Sequence, residues 1–312
     1  MPYYFFPPTR SAAVQFANLF DFVWPTAAAL WNLRWQVRGF RAELPDATIQ
    51  QLSDRFVSGS GIHGSNLTRA CLDTTWDNQK HNFSSIILIN AFAIYEYWAD
   101  QILVCVGEDD GKGKCLQFNN SASANSGLQG TLLTLCATES ETLKKAYYPI
   151  YVKSKKYSFG KISNLLDCYR YFKELRNSIA HNAGIASEKA EMAYNKFSLV
   201  SDKASLGMSE ELEHDPIRKG DKVHFRLRGV VGFCDILFRI MITVDAELSR
   251  SSKSEGYFEQ TFKERKSHIT LSSASEKRDA QVNKICRAAG FPSPHDISAV
   301  TSFLLSKRII SK

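Results

Sequence analysis

Arg176 and His181 lie five residues apart in the stretch YFKELRNSIAHNAG, residues 171–184, and their side chains suit proton transfer at an anion. An imidazole exchanges protons near neutral pH, because its unperturbed pKa is about 6.5. A guanidinium stays charged and offers a fork of donors that matches a phosphate. Asn177 could polarise the histidine or bind the same anion, and it could equally be a solvated helix residue.

The spacing of apolar residues predicts the helix that carries this pair, over about residues 159–180. One face of that helix collects Ile162, Leu165, Leu166, Tyr169, Phe172, Arg176 and Ile179. Arg176 therefore stands in an apolar stripe, where a guanidinium needs a carboxylate, a phosphate or several acceptors. Asn182 and Gly184 are typical of a helix C-terminus. We expect the helix to end near His181, and an end between Arg176 and His181 would let both side chains face one cavity.

A carboxylate that could meet Arg176 occurs on the strongest helix prediction of the chain, residues 82–106. Glu96 shares a helical face there with Ile89 and Phe92. The alternative is an ordinary surface carboxylate, because this helix is apolar on several sides.

Composition indicates an ordinary globular chain of 312 residues, with 44% hydrophobic and 23% charged residues. A net charge of +7 permits a polyanionic partner without requiring one. The seven cysteines include no C-x-x-C pair, so we interpret them as reduced thiols of a cytoplasmic protein. Neither a metal nor a cofactor is expected. The N-terminal stretch lacks the basic region of a signal peptide, and the longest apolar run, residues 230–244, contains charges, so no membrane span is predicted.

The remaining patterns predict an all-α fold with at most a minor β-hairpin, formed by VHFRLR at residues 223–228 after a Gly-Asp turn. Gly, Asn, Ser and Asp make residues 107–130 a long loop, and SRSSKSEG at 249–256 is predicted to be a linker. Further helices are predicted over 12–40 with a break at Pro25, 46–57 with Asp46 as cap, 130–148, 230–249, 277–289 and 295–307.

The stretch ELRNSIAHNAG resembles the signature of HEPN domains, in which an Arg, usually followed by a polar residue, precedes a nearby His at a helix end. Arg176, Asn177 and His181 match that signature position by position. An upstream helix with a Glu, here Glu96, and a last long helix after a polar segment also match. The resemblance covers about residues 80 to 250.

One departure lies on the upstream helix, where many HEPN relatives follow the early Glu with a basic pair. This chain has Asp100 and Gln101 at that place.

The range of the resemblance divides the chain into three parts. These are a helical N-terminal extension (1–80), a HEPN-like domain (81–250), and a linker with a helical C-terminal tail (251–312).

The resemblance implies a HEPN-like helical bundle that acts as a metal-independent endoribonuclease without a cofactor. In that chemistry the RNA 2′-hydroxyl attacks the adjacent phosphate, His181 moves protons and Arg176 stabilises the charge that grows on the phosphoryl oxygens. One histidine can hardly serve as both acid and base, and HEPN enzymes pair two motifs across a dimer. The resemblance thus implies a homodimer through the HEPN domain. A toxin or anti-phage role, with a possible antitoxin or regulatory partner, also follows from the family.

A second basic region, LKKAYYPIYVKSKKYS at residues 143–158, interleaves lysines with tyrosines. Such a segment could follow an RNA backbone and stack on bases, although a solvated lysine face above core tyrosines is more common. Its candidate RNA-binding side chains are Lys144, Lys145, Lys153, Lys155, Lys156 and Tyr157.

Two other functions stay open. A HEPN-like scaffold could bind RNA or nucleotide, or a protein, without catalysis. The two tail helices could bind DNA as a helix-turn-helix, although packing on the main domain is the more common arrangement. The intact Arg-polar-x3-His pattern favours the ribonuclease. The other near pair, Arg218 and His224, flanks a predicted turn and is not assigned to a site.

Overall fold

The computed structural model describes residues 4–119, 127–265 and 269–311, and it confirms the predicted all-α class. The α-helices of the described residues are α1 (Pro7–Glu43), α2 (Ile49–Phe56), α3 (Trp76–Cys105), α4 (Leu128–Leu135), α5 (Glu141–Ala146), α6 (Tyr148–Tyr151), α7 (Ile162–His181), α8 (Glu188–Phe197), α9 (Lys203–Leu206), α10 (Leu227–Ser249), α11 (Ser252–Glu264), α12 (Ser275–Ala288) and α13 (Ile297–Ser306). Two short strands, β1 (Ile269–Thr270) and β2 (Ile310–Ser311), pair in parallel.

The centre of the core forms where α3, α7 and α10 pack together. Phe92 of α3 meets Tyr169 of α7 and Phe233 of α10, with ring centroids 5.3 and 5.2 Å apart. Phe172 of α7 stacks on Phe233 at 4.4 Å. Full burial of such a side chain contributes about 1.5–3 kcal/mol, so these contacts hold α7, the helix with the motif, between two long neighbours.

The same core continues into both ends of the described chain. Phe5 and Phe6 are fully buried in it, and their backbone N–H groups donate to the buried carboxylate of Asp245 at 2.8 and 3.1 Å. Tail residues, among them Val282 of α12 and Leu304 of α13, belong to the same cluster. The tail helices therefore pack on the main body. No helix in the described ranges combines the length and the apolar content needed to cross a membrane.

The predicted break at Pro25 is wrong, because α1 runs through it without interruption. Proline removes one backbone donor, but Asp21, whose carbonyl loses that donor, is exposed to solvent. The hydroxyl of Thr26 also donates to the carbonyl of Phe22 at 2.7 Å. The predicted Asp46 cap is likewise wrong: Thr48 caps α2 in a capping box with Gln51.

The predicted hairpin at residues 223–228 is also absent from the described chain. Lys222 instead forms an isolated antiparallel bridge with Ile185, and α10 already begins at Leu227. The N–H of Val223 donates to the carbonyl of Gly184 at 2.8 Å. This segment therefore pairs with the residues that follow α7, and it does not pair with a neighbouring strand across a turn, as a hairpin requires.

Three further boundaries differ from the sequence predictions. The linker predicted at 249–256 is largely helical, because Ser251 caps α11 by accepting the N–H of Ser254 at 3.1 Å. The helix predicted over 130–148 is divided into α4, α5 and α6. The predicted loop contains a 3₁₀ turn, Lys112–Gln117, and its residues 120–126 lie outside the described part of the chain.

Candidate functional site

The C-terminus of α7 lies where Asn182 and Gly184 predicted it. The carbonyl of Ser178 accepts the N–H of Asn182 at 3.0 Å and that of Gly184 at 2.9 Å. Ala183 and Gly184 adopt φ angles of 49° and 80°, a left-handed conformation that suits glycine. His181 is the last residue of α7, so the helix ends near His181 as predicted, one residue beyond the predicted range of 159–180.

Arg176 packs against α3 with a side chain that is 21% exposed. Its Nη2 donates to Glu96 Oε1 at 3.0 Å, so the predicted ion pair is present. The guanidinium carbon also lies 5.0 Å from the ring centroid of Phe92. Nε is buried and has no hydrogen-bond acceptor among the described residues. These contacts hold the guanidinium against the core.

Lys173, which the sequence prediction did not include, joins the same cluster. Its Nζ lies 3.4 Å from Glu96 Oε1 and donates to the side-chain oxygen of Gln117. Burial lowers the pKa of Lys173, while Glu96 opposes that shift. The spacing of three residues before Arg176 on one helix was the signal that could have identified it.

His181 is exposed and lines an open groove of about 670 Å³ between the end of α7 and the start of α8. The groove is lined by Glu174, Asn177, His181, Asn182, Ser187, Glu188, Lys189 and Met192. Arg176 is not part of this lining. Five residues turn a helix by about 140°, which directs Arg176 towards α3 and His181 towards α8. Within one chain the structure therefore does not bring Arg176 and His181 into one cavity.

The two carboxylates of this groove have cationic partners. Glu174 is buried and pairs with Arg170 at 2.5 Å, and Glu188 pairs with Lys219 at 3.4 Å. Lys189 is exposed and has no carboxylate within 4.0 Å among the residues that the structure describes. The groove thus contains the exposed imidazole and one cation that is free to meet an anion.

The lysines of the predicted RNA-binding segment are divided between paired and free side chains. Lys144 pairs with Glu139, Lys145 with Glu141 and Lys156 with Asp235. Lys153 and Lys155 are exposed and have no carboxylate partner in the described ranges. None of these lysines lines the His181 groove.

Tyr157, the aromatic candidate of that segment, is held inside the fold. Its hydroxyl donates to the carboxylate of Glu247, which also accepts from Tyr148 at 2.9 Å. Burial raises the pKa of Tyr157, and the hydrogen bond to Glu247 adds to that shift. These contacts support the core role that we considered beside base stacking.

A histidine pair that sequence reasoning did not connect joins α3 to the segment beside the α7 terminus. The rings of His81 and His224 stack with centroids 4.9 Å apart. His81 Nδ1 accepts the backbone N–H of Phe225 at 3.0 Å. Burial lowers the pKa of His81, and the charges of His224 and Lys222 lower it further. The two histidines are far apart in the sequence, so no local pattern could have joined them.

In residues 4–119, 127–265 and 269–311, no group of three or more His, Cys, Asp or Glu side chains could hold a metal ion. Comparisons of the chain with family models, with curated proteins and with solved structures find no match.

Proposed function

We propose that this protein is a metal-independent endoribonuclease that uses the RNA 2′-hydroxyl as its nucleophile. The observation that carries the proposal is His181: it ends α7 within an intact Arg-polar-x3-His motif, and its imidazole is exposed in an open groove. An exposed imidazole can exchange protons with a bound substrate near neutral pH. Asn177 lines the same groove and is the candidate to polarise the imidazole or bind phosphate.

The reaction needs one proton removed and one proton supplied. A base takes the 2′-hydroxyl proton, the oxygen forms a bond to the adjacent phosphorus, and the bond from phosphorus to the 5′-oxygen breaks. An acid gives a proton to that leaving oxygen. The products end in a 2′,3′-cyclic phosphate and a 5′-hydroxyl. No metal and no external nucleophile enters this sequence of steps.

A second copy of the chain is the proposed source of the second histidine, since one His181 can hardly be both acid and base. The apolar stripe of α3 supports a dimer: Ile86, Ile89 and Tyr97 are 49%, 47% and 59% exposed. Their spacing places them along one side of α3, next to Glu96 and its partner Arg176. A second copy that covers this stripe would bring the Arg176 side of both motifs to a two-fold interface.

The cellular role rests on the HEPN resemblance. We propose a toxin or anti-phage effector that works in the cytoplasm, with an antitoxin or a regulatory protein as a further partner. The free side chains of Lys153 and Lys155 are the members of the 143–158 segment that best suit contact with the RNA backbone.

The decisive test is incubation of the purified protein with RNA in the presence and absence of EDTA. We expect cleavage to persist in EDTA and to leave 2′,3′-cyclic phosphate ends. A matched RNA with a 2′-O-methyl group at the cleaved position should resist, because its nucleophile is blocked. Cleavage of that RNA, or of DNA, would contradict the proposal.

A non-catalytic RNA-binding or interaction module is the second candidate, and the contacts of Arg176 favour it. Its guanidinium donates to Glu96 and lies over the ring of Phe92, and these contacts compete with the binding of a phosphate. This candidate predicts that RNA binds and is recovered intact. RNA fragments that are absent with His181→Ala would exclude it.

A further inference from the structure

The groove beside His181 contains a cation that the sequence motif does not include. Lys189 lies in the first turn of α8 and lines the groove together with His181 and Asn177. Its ammonium group has no carboxylate within 4.0 Å among the described residues. Lysine acts as a point charge for phosphate, so it does not need the planar geometry that arginine requires.

Lys189 is held at this position by the packing of α8 on α7. Tyr171 of α7 stacks on Phe197 of α8, with ring centroids 5.0 Å apart. Ala190 and Ala193 lie on the buried face of α8, while Lys189 and Met192 are exposed and line the groove. The lysine therefore extends from a fixed backbone into the groove that His181 lines.

The carboxylates that line the groove are paired with other cations, so they do not neutralise Lys189. Glu174 is paired with Arg170, and Glu188 with Lys219. The cation that the motif itself supplies, Arg176, is bound to Glu96 and directed towards α3. Among the described residues of one chain, Lys189 is thus the cation that lines the same groove as His181.

We infer that Lys189 binds the phosphate of the RNA at which His181 transfers a proton. This inference rests on the proposed ribonuclease function and names the phosphate-binding side chain of that site. A phosphodiester in the groove would meet the ammonium of Lys189, the imidazole of His181 and the amide of Asn177. Met192, which is 59% exposed one turn further along α8, offers the neighbouring ribose or base an apolar contact.

The test uses Lys189→Ala, Lys189→Arg and the matched control Lys196→Ala in the full chain. Lys196 is an exposed lysine of the same helix that does not line the groove. Two quantities are measured for each protein: kcat/KM on cleavable RNA, and the salt dependence of binding to a 2′-O-methyl RNA that cannot be cut.

We expect Lys189→Ala to lower kcat/KM about tenfold to hundredfold, to raise KM, and to reduce the slope of log K against log salt by about 0.7, the value for one lost contact to single-stranded RNA. Lys189→Arg should restore the slope, and Lys196→Ala should match wild type in both quantities. Equal rates and slopes for Lys189→Ala and Lys196→Ala would overturn the inference.

The two measurements separate this inference from the proposed function. If the wild-type protein binds RNA but does not cut it, the ribonuclease proposal fails, and a Lys189-dependent slope still supports phosphate binding at the groove. If it cuts RNA with a slope and a rate that are independent of Lys189, the enzyme stands and the assignment of Lys189 fails. If it neither cuts nor binds RNA, both are wrong.

Discussion

Two faces of α7 carry the two halves of one motif, and they have different surroundings. On the α3 side, Arg176 is mostly buried, pairs with Glu96 and lies over the ring of Phe92. On the α8 side, His181 is exposed in a groove with Lys189. The first face resembles core structure with one ion pair, and the second resembles a site that is open to a ligand.

The difference teaches that matching a motif does not give its residues equal roles. A guanidinium with a carboxylate at 3.0 Å contributes to stability, and its charge is partly neutralised before any substrate arrives. An exposed imidazole contributes little to stability and stays available for proton transfer. We therefore expect variants on the α8 side to affect activity, and variants on the α3 side to affect stability as well.

The largest effect is expected for His181→Ala. Loss of a general acid or base typically lowers the rate by about a hundredfold to ten-thousandfold. Because the side chain is exposed, the melting temperature should stay at the wild-type value. His63→Ala, which removes another exposed histidine, serves as the control. A variant at position 181 that cleaves RNA at the wild-type rate would show that the α8 face is not the site.

The second-largest effect is expected in a mixing experiment, which tests whether two chains of a dimer share one site. Wild-type and His181→Ala chains are mixed, allowed to exchange, and the heterodimer is isolated. A site shared by two histidines predicts that the heterodimer loses most of the wild-type activity. Retention of half of that activity would mean that each chain works independently, and the His181 groove of a single chain would then be the complete site.

Arg176→Ala should lower the free energy of unfolding by about 1–2 kcal/mol, since it removes a partly buried ion pair and a cation–π contact. A double-mutant cycle with Glu96→Ala, followed by chemical denaturation, should give a coupling energy of about 1 kcal/mol. Arg228→Ala is the matched control, because Arg228 is 76% exposed in its pair with Glu210. If Arg176→Ala and Arg228→Ala had the same small effect, the α3 face would not be structural.

The smallest effect is expected on the pH dependence of stability, through the contact of His81 with residues 223–225 beside the α7 terminus. Burial lowers the pKa of His81 from its ordinary 6.5, so the unfolded chain takes up the proton more readily than the folded chain. The stability that neutral His81 contributes is therefore complete above about pH 6.5 and is lost as the pH falls through the folded-state pKa. His81→Asn keeps an acceptor for the N–H of Phe225 but does not titrate.

Denaturation midpoints of wild type and His81→Asn between pH 5 and pH 7 measure this contribution. The wild-type midpoint should fall further on acidification than that of the variant, and His63→Asn should behave as wild type. An identical pH dependence for all three proteins would mean that His81 does not anchor this segment.

The sequence alone determined the elements around the site, because their signals are local. Apolar spacing located α7 and placed Arg176 in its stripe, and it placed Glu96 on the facing side of α3. Asn182 and Gly184 marked the end of α7, since only a few residues can adopt the backbone conformation that terminates a helix. The cost of burying an unpaired guanidinium indicated that Arg176 needs an acceptor, and Glu96 was a candidate for it.

The tertiary structure decided what lies beside each of these residues. Apolar periodicity did not show that Arg176 is directed towards α3 while His181, five residues later on the same helix, lines the groove beside α8. The contact of His81 with Phe225 joins residues 144 positions apart, and the position of Lys189 in the His181 groove depends on how α8 packs on Tyr171. Helical patterns repeat over a few residues, whereas the contacts between helices are selected by the packing of the whole core.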